Sequence, residues 1–402
     1  MSRSLTNIKS LFPLLQERPE LVYLDSASTS HKPKLVIDAI TSFYSSENAN
    51  VHRGLYELSS SATHRYEQVR SKVKDLIGAQ LEKEVAFTKG STESINIVAN
   101  SFEGILNEGD NIVISEMEHH ANLIPWQQVC KKRKAMLRVL PINSNGDVVL
   151  EQLSKLLDKR TKLLAITHIS NVLGTVNPVR EIVEMAHVKS TPVLLDAAQS
   201  VGHMPVNVKD LDVDFLVFSA HKMFGSMGTG ILYAKEKYHN MVQPLNFGGG
   251  AIREVSFDET TFMNYPSSLE AGTPNVSGVI GLGAAIDFVQ QINLEEASAH
   301  TKQLASVLRE KLLMLPFVKA VGNPIINSGI VPFVVDGIHA HDVAGFLVEH
   351  QIAVRAGHHC TQPLHKKFGL PATVRASFSI YNTEADVDKL VYSLKGLKKF
   401  WS

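Results

Sequence analysis

Along the first two-thirds of the chain, short apolar runs alternate with longer stretches whose apolar residues recur at helical spacing. The runs are Glu84–Thr88, Asn111–Ser115, Met136–Pro141, Lys162–Thr167, Pro192–Asp196, Asp214–Ser219 and Gly230–Ala234, rich in Val, Ile and Leu. They are apolar on both faces, as strands must be when helices cover their sheet on each side. The connections are long enough for helical crossovers. The pattern predicts an α/β large domain with a mostly parallel, seven-stranded sheet flanked by helices. Segment Phe247–Pro274 carries glycines and prolines without a period and reads as a loop. Beyond it the pattern predicts one long helix, Gly281–Leu315, then a strand at Ile330–Val335 and a helix at Asp342–Gln351. Strands at Ala353–Ala356 and Val374–Ile380 and a final helix at Glu384–Phe400 follow. That alternation suits a smaller α+β domain. The expected division is a large domain over 21–285 and a small domain over 286–402, joined by the N-terminal segment 1–20.

Composition narrows the class without naming it. A chain of 402 residues is long for one core, so two or three domains are expected. Lys+Arg and Asp+Glu balance at 40 each, which argues against a nucleic-acid or membrane polyelectrolyte. Two cysteines, Cys130 and Cys360, cannot build a disulfide framework and point to a reducing compartment. The first 20 residues lack the apolar core of a secretory signal, and no stretch reaches the roughly 18 apolar residues of a membrane span. A cytoplasmic protein of enzyme size is the expectation.

Ligands of an open parallel sheet bind beyond the carboxyl ends of its strands, and several chemically equipped segments fall there. In TKGSTES a strand ends, Gly90 turns the chain, and Ser91 and Thr92 open a helix. Such a start serves as an N-cap or, with its free N–H groups, as a phosphate cradle. In EMEHHAN, His119 and His120 follow a strand; they suit a metal, catalysis or the face of a ring, although adjacent histidines chelate poorly. In VLLDAAQS a buried strand ends in Asp196, with Gln199 close behind. A carboxylate there caps a helix or holds a cation or a protonated ring nitrogen. SAHKMFGSMGTG places Lys222 one βα crossover later, at the end of a neighbouring strand. Desolvation makes a lysine partly neutral near neutral pH, so that it attacks carbonyls. A Schiff-base lysine, an aspartate for a pyridinium and a phosphate cradle together describe a pyridoxal phosphate site. In VRAGHHCTQPL, Cys360 follows two histidines. A closed zinc site needs four ligands, so the alternatives are a buried inert thiol or an exposed, nucleophilic one. Arg375, inside VRASFSIYNT, needs an anion: a structural carboxylate or a ligand's, gripped by its planar fork.

Together with LDSAS (Leu24–Ser28), NVHRG (Asn50–Gly54), ITHISNVLGT (Ile166–Thr175) and EAGTPN (Glu270–Asn275), these motifs resemble the cysteine desulfurases of the sulfur-mobilising (Suf) type. That is the second group of the class V aminotransferase family, and the resemblance covers nearly the whole chain in the same order. It implies a fold-type I pyridoxal phosphate enzyme, a homodimer, converting L-cysteine to L-alanine and an enzyme-bound persulfide for iron–sulfur cluster assembly. By resemblance, Lys222 holds the cofactor, His119 stacks on its ring and takes part in catalysis, and Asp196 meets the ring nitrogen. Gln199 lies near the ring hydroxyl. Ser91, Thr92, Ser219 and His221 bind the phosphate, with Thr273 reaching in from the other subunit. Asn171, Arg375, His52 and Arg355 bind substrate, Cys360 carries the persulfide, and no metal is implied. Lys89, Ser226, Met227 and Ser268 depart from the family's usual residues. Passing sulfur from pocket to partner implies a mobile cysteine loop, and the loop's shortness implies a dedicated acceptor of the SufE or SufU kind. Selenocysteine lyase or cysteine sulfinate lyase is the alternative on the same scaffold. A sulfur-relay scaffold without catalysis would not need Lys222, Asp196 and Cys360 together.

Overall fold

The computed structural model describes residue 5 and residues 7–401. All seven expected strands of the large sheet form, here β1 (Val85–Thr88), β2 (Asn111–Ser115), β3 (Met136–Leu140), β4 (Thr161–Thr167), β5 (Val193–Asp196), β6 (Phe215–Ser219) and β7 (Gly230–Ala234). Their spatial order is β1-β7-β6-β5-β4-β2-β3. Only β7 runs against its neighbours; the other six share one direction. Every residue of β2, β5, β6 and β7 is buried, which is why these runs are apolar on both faces. Thr88, Ser115, Thr167, Asp196 and Ser219 therefore end at one edge of the sheet.

The small domain has a four-stranded antiparallel sheet in the order Val318–Ala320, Ile330–Val335, Thr373–Ser377, Arg355–Gly357. Its register sets Arg355 directly opposite Arg375. Helices Leu294–Leu313, Ala340–Glu349 and Glu384–Trp401 pack beside it.

Three departures from the sequence pattern have local causes. The expected helix Gly281–Leu315 is two, Val276–Gln290 and Leu294–Leu313. Between them the Asn293 side chain accepts from the N–H groups of Glu295 and Glu296 at 3.0 and 3.2 Å, capping a new start. The expected loop Phe247–Pro274 contains a hairpin, Ile252–Val255 with Thr260–Phe262, whose strands are too short to show a period. The expected strand Ala353–Ala356 divides: Ile352–Ala353 pairs with Val22–Tyr23, and Arg355–Gly357 joins the small sheet.

Two hydrophobic clusters divide the start of the chain between them. Ile8, Phe12 and Leu15 pack in the large core, with the Phe12 ring against Phe224, Phe288 and Tyr381. Val22 and Leu24 instead belong to the small-domain core. Residues 8–24 thus contribute to both cores. No helix among the described residues is long and apolar enough to cross a membrane.

Candidate active site

One cavity of about 300 Å³ opens at the carboxyl edge of the large sheet, facing the small domain. Ser91, Thr92, His119, Asn171, Asp196, Gln199, Ser219, His221 and Lys222 line one side, and Arg355, Cys360 and Arg375 the other. His52 and Thr273 are not among them. They line a second cavity of about 380 Å³ with Glu67, Arg70 and Glu270.

Strand geometry brings the central pair together. Asp196 ends β5 and Lys222 follows the end of the adjacent β6. Burial pushes Lys222 below the ordinary lysine range, with Arg375 adding to the push and Asp196 opposing it. Burial pushes Asp196 upward, with Lys222 and the Ala198 N–H, 3.0 Å from its Oδ1, opposing. The pair is therefore a desolvated amine facing a desolvated carboxylate. Around it, His119 Nδ1 accepts from the Ala121 N–H at 3.0 Å, which leaves the proton of the neutral ring on Nε2. Burial, then Lys222, holds His119 down at about 3, so the ring is neutral at physiological pH. Gln199 is fixed by donating to the Ala27 carbonyl at 2.7 Å.

At the start of helix Ser91–Glu103, Ser219 Oγ accepts from the Ser91 N–H and meets the Ser91 hydroxyl, both at 2.8 Å. This cradle requires the backbones of β7 and the Gly90 turn to touch. A Cβ on Gly230 would lie 2.4 Å from Gly90 Cα, so glycine is needed there. Hydroxyls and N–H groups at a helix start, a desolvated lysine, a buried carboxylate and a flat neutral imidazole form a donor set that fits pyridoxal phosphate.

Across the cavity, Arg375 is only 2% exposed. It donates to the Asn171 carbonyl at 2.8 Å, to Asp25 Oδ1 at 3.0 Å and to Ser28 Oγ at 2.8 Å. Arg355 grips the same Asp25 carboxylate at 3.0–3.2 Å. Asp25 thus holds two cross-strand guanidinium groups that would otherwise repel one another. Sequence reasoning missed it, although it stands in the LDSAS motif just after an apolar run. Asp25→Ala is expected to raise KM for substrate and to destabilise the fold by about 3–5 kcal/mol, the usual consequence of stranding a buried charge. Denaturant unfolding and steady-state kinetics check this; a lower KM would mean that Asp25 competes with substrate for Arg375.

Glu118 was also missed. Its carboxyl accepts from Asn122 at 2.6 Å and from the Thr167 N–H at 3.1 Å, and takes the Ser115 hydroxyl at 2.5 Å. It thereby ties the ends of β2 and β4 one residue before His119. Burial pushes it up to about 8.

The two cysteines differ sharply. Cys130 is buried, and burial pushes its thiol up to about 11. Cys360 is exposed. Its backbone is well fastened, although the sulfur-transfer step led to the expectation of a mobile loop. The Cys360 carbonyl accepts from the His120 N–H at 2.7 Å, and the His359 carbonyl from Asn171 Nδ2 at 2.8 Å. His359 and Cys360 both take left-handed φ, 50° and 57°. Such consecutive non-glycine residues persist only where surrounding contacts impose them.

The class V aminotransferase model matches residues 22–390 of this chain. The chain belongs to the class V aminotransferase family. Pyridoxal phosphate is the cofactor of this family. Two relatives are each 46% identical: a probable cysteine desulfurase of Halalkalibacterium halodurans and a cysteine desulfurase of Cronobacter sakazakii, each matched over 98% of both chains. Among solved structures, the apo cysteine desulfurase of Thermococcus onnurineus superposes with a TM-score of 0.95 at 39% identity, over 99% of each chain. The Escherichia coli cysteine desulfurase CsdA gives 0.93 at 38% identity over the full length of both.

Proposed function

We propose that the Lys222 cavity is the active site of a cysteine desulfurase and that its residues act as follows. When bound, pyridoxal phosphate supplies an electron sink that loosens the bonds at the substrate α-carbon. Ser91, Thr92, Ser219 and His221 hold the phosphate at the helix start. Asp196 would hold a proton on the ring nitrogen, and the neutral His119 ring would offer a flat face to the cofactor ring. Lys222, its amine pushed by burial towards the neutral form, carries the α-proton. Arg375 and Asn171 orient the substrate carboxylate, with Arg355 beside them. The Cys360 sulfur bonds to the substrate sulfur as the Cβ–S bond breaks. That bond's electron pair returns to the carbon skeleton, which takes up protons and leaves as L-alanine. The sulfur stays on Cys360 as a persulfide.

One observation carries this reading: Lys222 and Asp196 end adjacent strands, and Cys360 and Arg375 face them across a single cavity. The test is a panel of L-cysteine, selenocysteine and cysteine sulfinate offered to the cofactor-loaded protein. Alanine from cysteine, in step with sulfide released by a reductant, is the expected result. Alanine from selenocysteine or sulfinate alone would move the assignment to a lyase.

The working unit is a homodimer. Supporting this, His52 and Thr273 line a cavity separate from that of Lys222 in the single chain, as residues serving a neighbour's site would. An exposed Cys360 thiol on a fastened backbone suits handing sulfur to a dedicated acceptor of the SufE or SufU kind, in the sulfur-mobilising route to iron–sulfur clusters. A thiol that must stay reduced between turnovers suits the cytoplasm.

A further inference from the structure

The backbone on either side of Lys222 is held by residues that the cavity does not use. The His221 carbonyl, which forms the peptide bond to Lys222, accepts from four donors of one N-terminal segment. They are the Ser30 N–H, the Ser30 hydroxyl and the Thr29 hydroxyl, each at 3.1 Å, and the Lys32 ammonium at 2.9 Å. On the other side, His203 Nε2 donates to the Lys222 carbonyl at 2.9 Å, and the Phe224 N–H donates to Ser30 Oγ at 2.7 Å. The turn Ala220–Lys222 is therefore clamped from both ends.

Lys32 is the unusual member. Its other acceptors are the Ser30 carbonyl at 2.6 Å and, at the limit of reach, Thr29 Oγ1 at 3.5 Å. These are neutral oxygens, and none of the ion pairs among the described residues includes Lys32. Burial alone pushes it down to about 8. An ammonium withdrawn from water without a carboxylate is costly, so burial alone gives no reason for a lysine at this position. What it does supply is a charge-assisted hydrogen bond, about twice as strong as a neutral one, aimed at one carbonyl. A peptide unit is planar. Fixing the direction of the His221 carbonyl therefore fixes the Lys222 N–H and, through it, the direction in which the Lys222 side chain leaves the backbone.

We propose that Lys32 is a positioning residue for Lys222: its ammonium, with the Thr29 and Ser30 hydroxyls, locks the His221–Lys222 peptide so that the Lys222 amine stands at one place in the cavity. The inference rests on Lys222 being the cofactor lysine. Lys32 touches neither cofactor nor substrate and acts only through the backbone.

The experiment uses the full-length protein freed of cofactor, as wild type, Lys32→Met and Lys32→Arg. Each is mixed with pyridoxal phosphate, quenched with borohydride at set times and digested, and the modified Lys222 peptide is quantified by mass. The melting temperature of the cofactor-free protein and the kcat and KM for cysteine are measured alongside. Lys32→Met is expected to slow capture at Lys222 by about 10- to 100-fold, the scale of a misplaced reacting group. Its kcat should fall in proportion while KM stays within about threefold. Lys32→Arg, which keeps the charge and its donors, should recover most of the rate. Capture and kcat like wild type in a folded Lys32→Met would overturn the proposal. So would an arginine variant as slow as the methionine variant, because the position would then require lysine's shape rather than its charge. If Lys32→Met does not fold, Lys32→Gln replaces it; its uncharged amide should give a partial loss, and wild-type capture would again overturn the role. Wild-type protein labelled at a lysine other than Lys222 would overturn the assignment of the active site itself, a result distinct from an indifferent Lys32.

Discussion

Lys222→Ala is expected to bind pyridoxal phosphate only reversibly, to lose it on dialysis and to release no alanine from cysteine above about 10⁻⁴ of the wild-type rate. Two functions are lost with one amine: the covalent tether and the carrier of the α-proton, and proton transfer by a positioned group is by itself worth about 10²- to 10⁴-fold. Burial lowers the Lys222 pKa, so the neutral form, which attacks carbonyls and takes protons, is more abundant near neutral pH than in an exposed lysine. Asp196 moderates that shift without abolishing it. The surrounding groups, including the Ser91–Ser219 cradle and the His119 ring, are independent of the Lys222 side chain, so the reversible binding should survive. Dialysis followed by absorbance measures the first effect, and alanine formed per active site the second. A variant that keeps its colour and turns over within tenfold of wild type would place the chemistry on another lysine.

The residues that could be read from the sequence are those whose neighbours in space follow from chain topology. The strands β2, β5 and β6 declare themselves because burial on both faces leaves polar residues only at their ends. Since β5 and β6 are consecutive and joined by one crossover, Asp196 and Lys222 had to end side by side. Asp25 carries no such signal. Its partners Arg355 and Arg375 lie 330 and 350 residues away, and only the docking of the small domain brings them together. Lys32 is hidden for the same reason: its target carbonyl is 189 residues on. The hairpin Ile252–Phe262 escaped because two short strands, largely exposed, give no alternation of buried and exposed positions to detect. His52 and Thr273 show a different limit. Their motifs were readable, and the single chain keeps both out of the Lys222 cavity, as the resemblance implied for Thr273 but not for His52.

Cys360→Ala is expected to abolish alanine release from cysteine while retaining much of it from selenocysteine. The thiol lines the Lys222 cavity and is also exposed, so one sulfur atom faces both the substrate and the outside. Sulfur bound to the substrate Cβ leaves poorly unless a thiolate takes it. Selenium forms a weaker bond to carbon and a more acidic selenol, so it departs with less help. Removing the Cys360 sulfur should therefore stop the first reaction at the C–S bond and only slow the second. The backbone argues that the variant keeps its pocket. The Cys360 carbonyl is held by the His120 N–H and the His359 carbonyl by Asn171, and neither bond involves the thiol. Alanine tolerates the left-handed φ of 57° somewhat less well than other conformations, at a cost of roughly 1–2 kcal/mol, but cysteine already bears that cost. Cys130→Ala is the control: its thiol is buried away from the cavity and pushed up by burial, so both activities should persist. Alanine per active site is measured for each variant with each substrate. Full cysteine turnover in Cys360→Ala would remove the persulfide step, and equal loss on both substrates would show that the Cys360 side chain shapes the cavity instead of accepting sulfur.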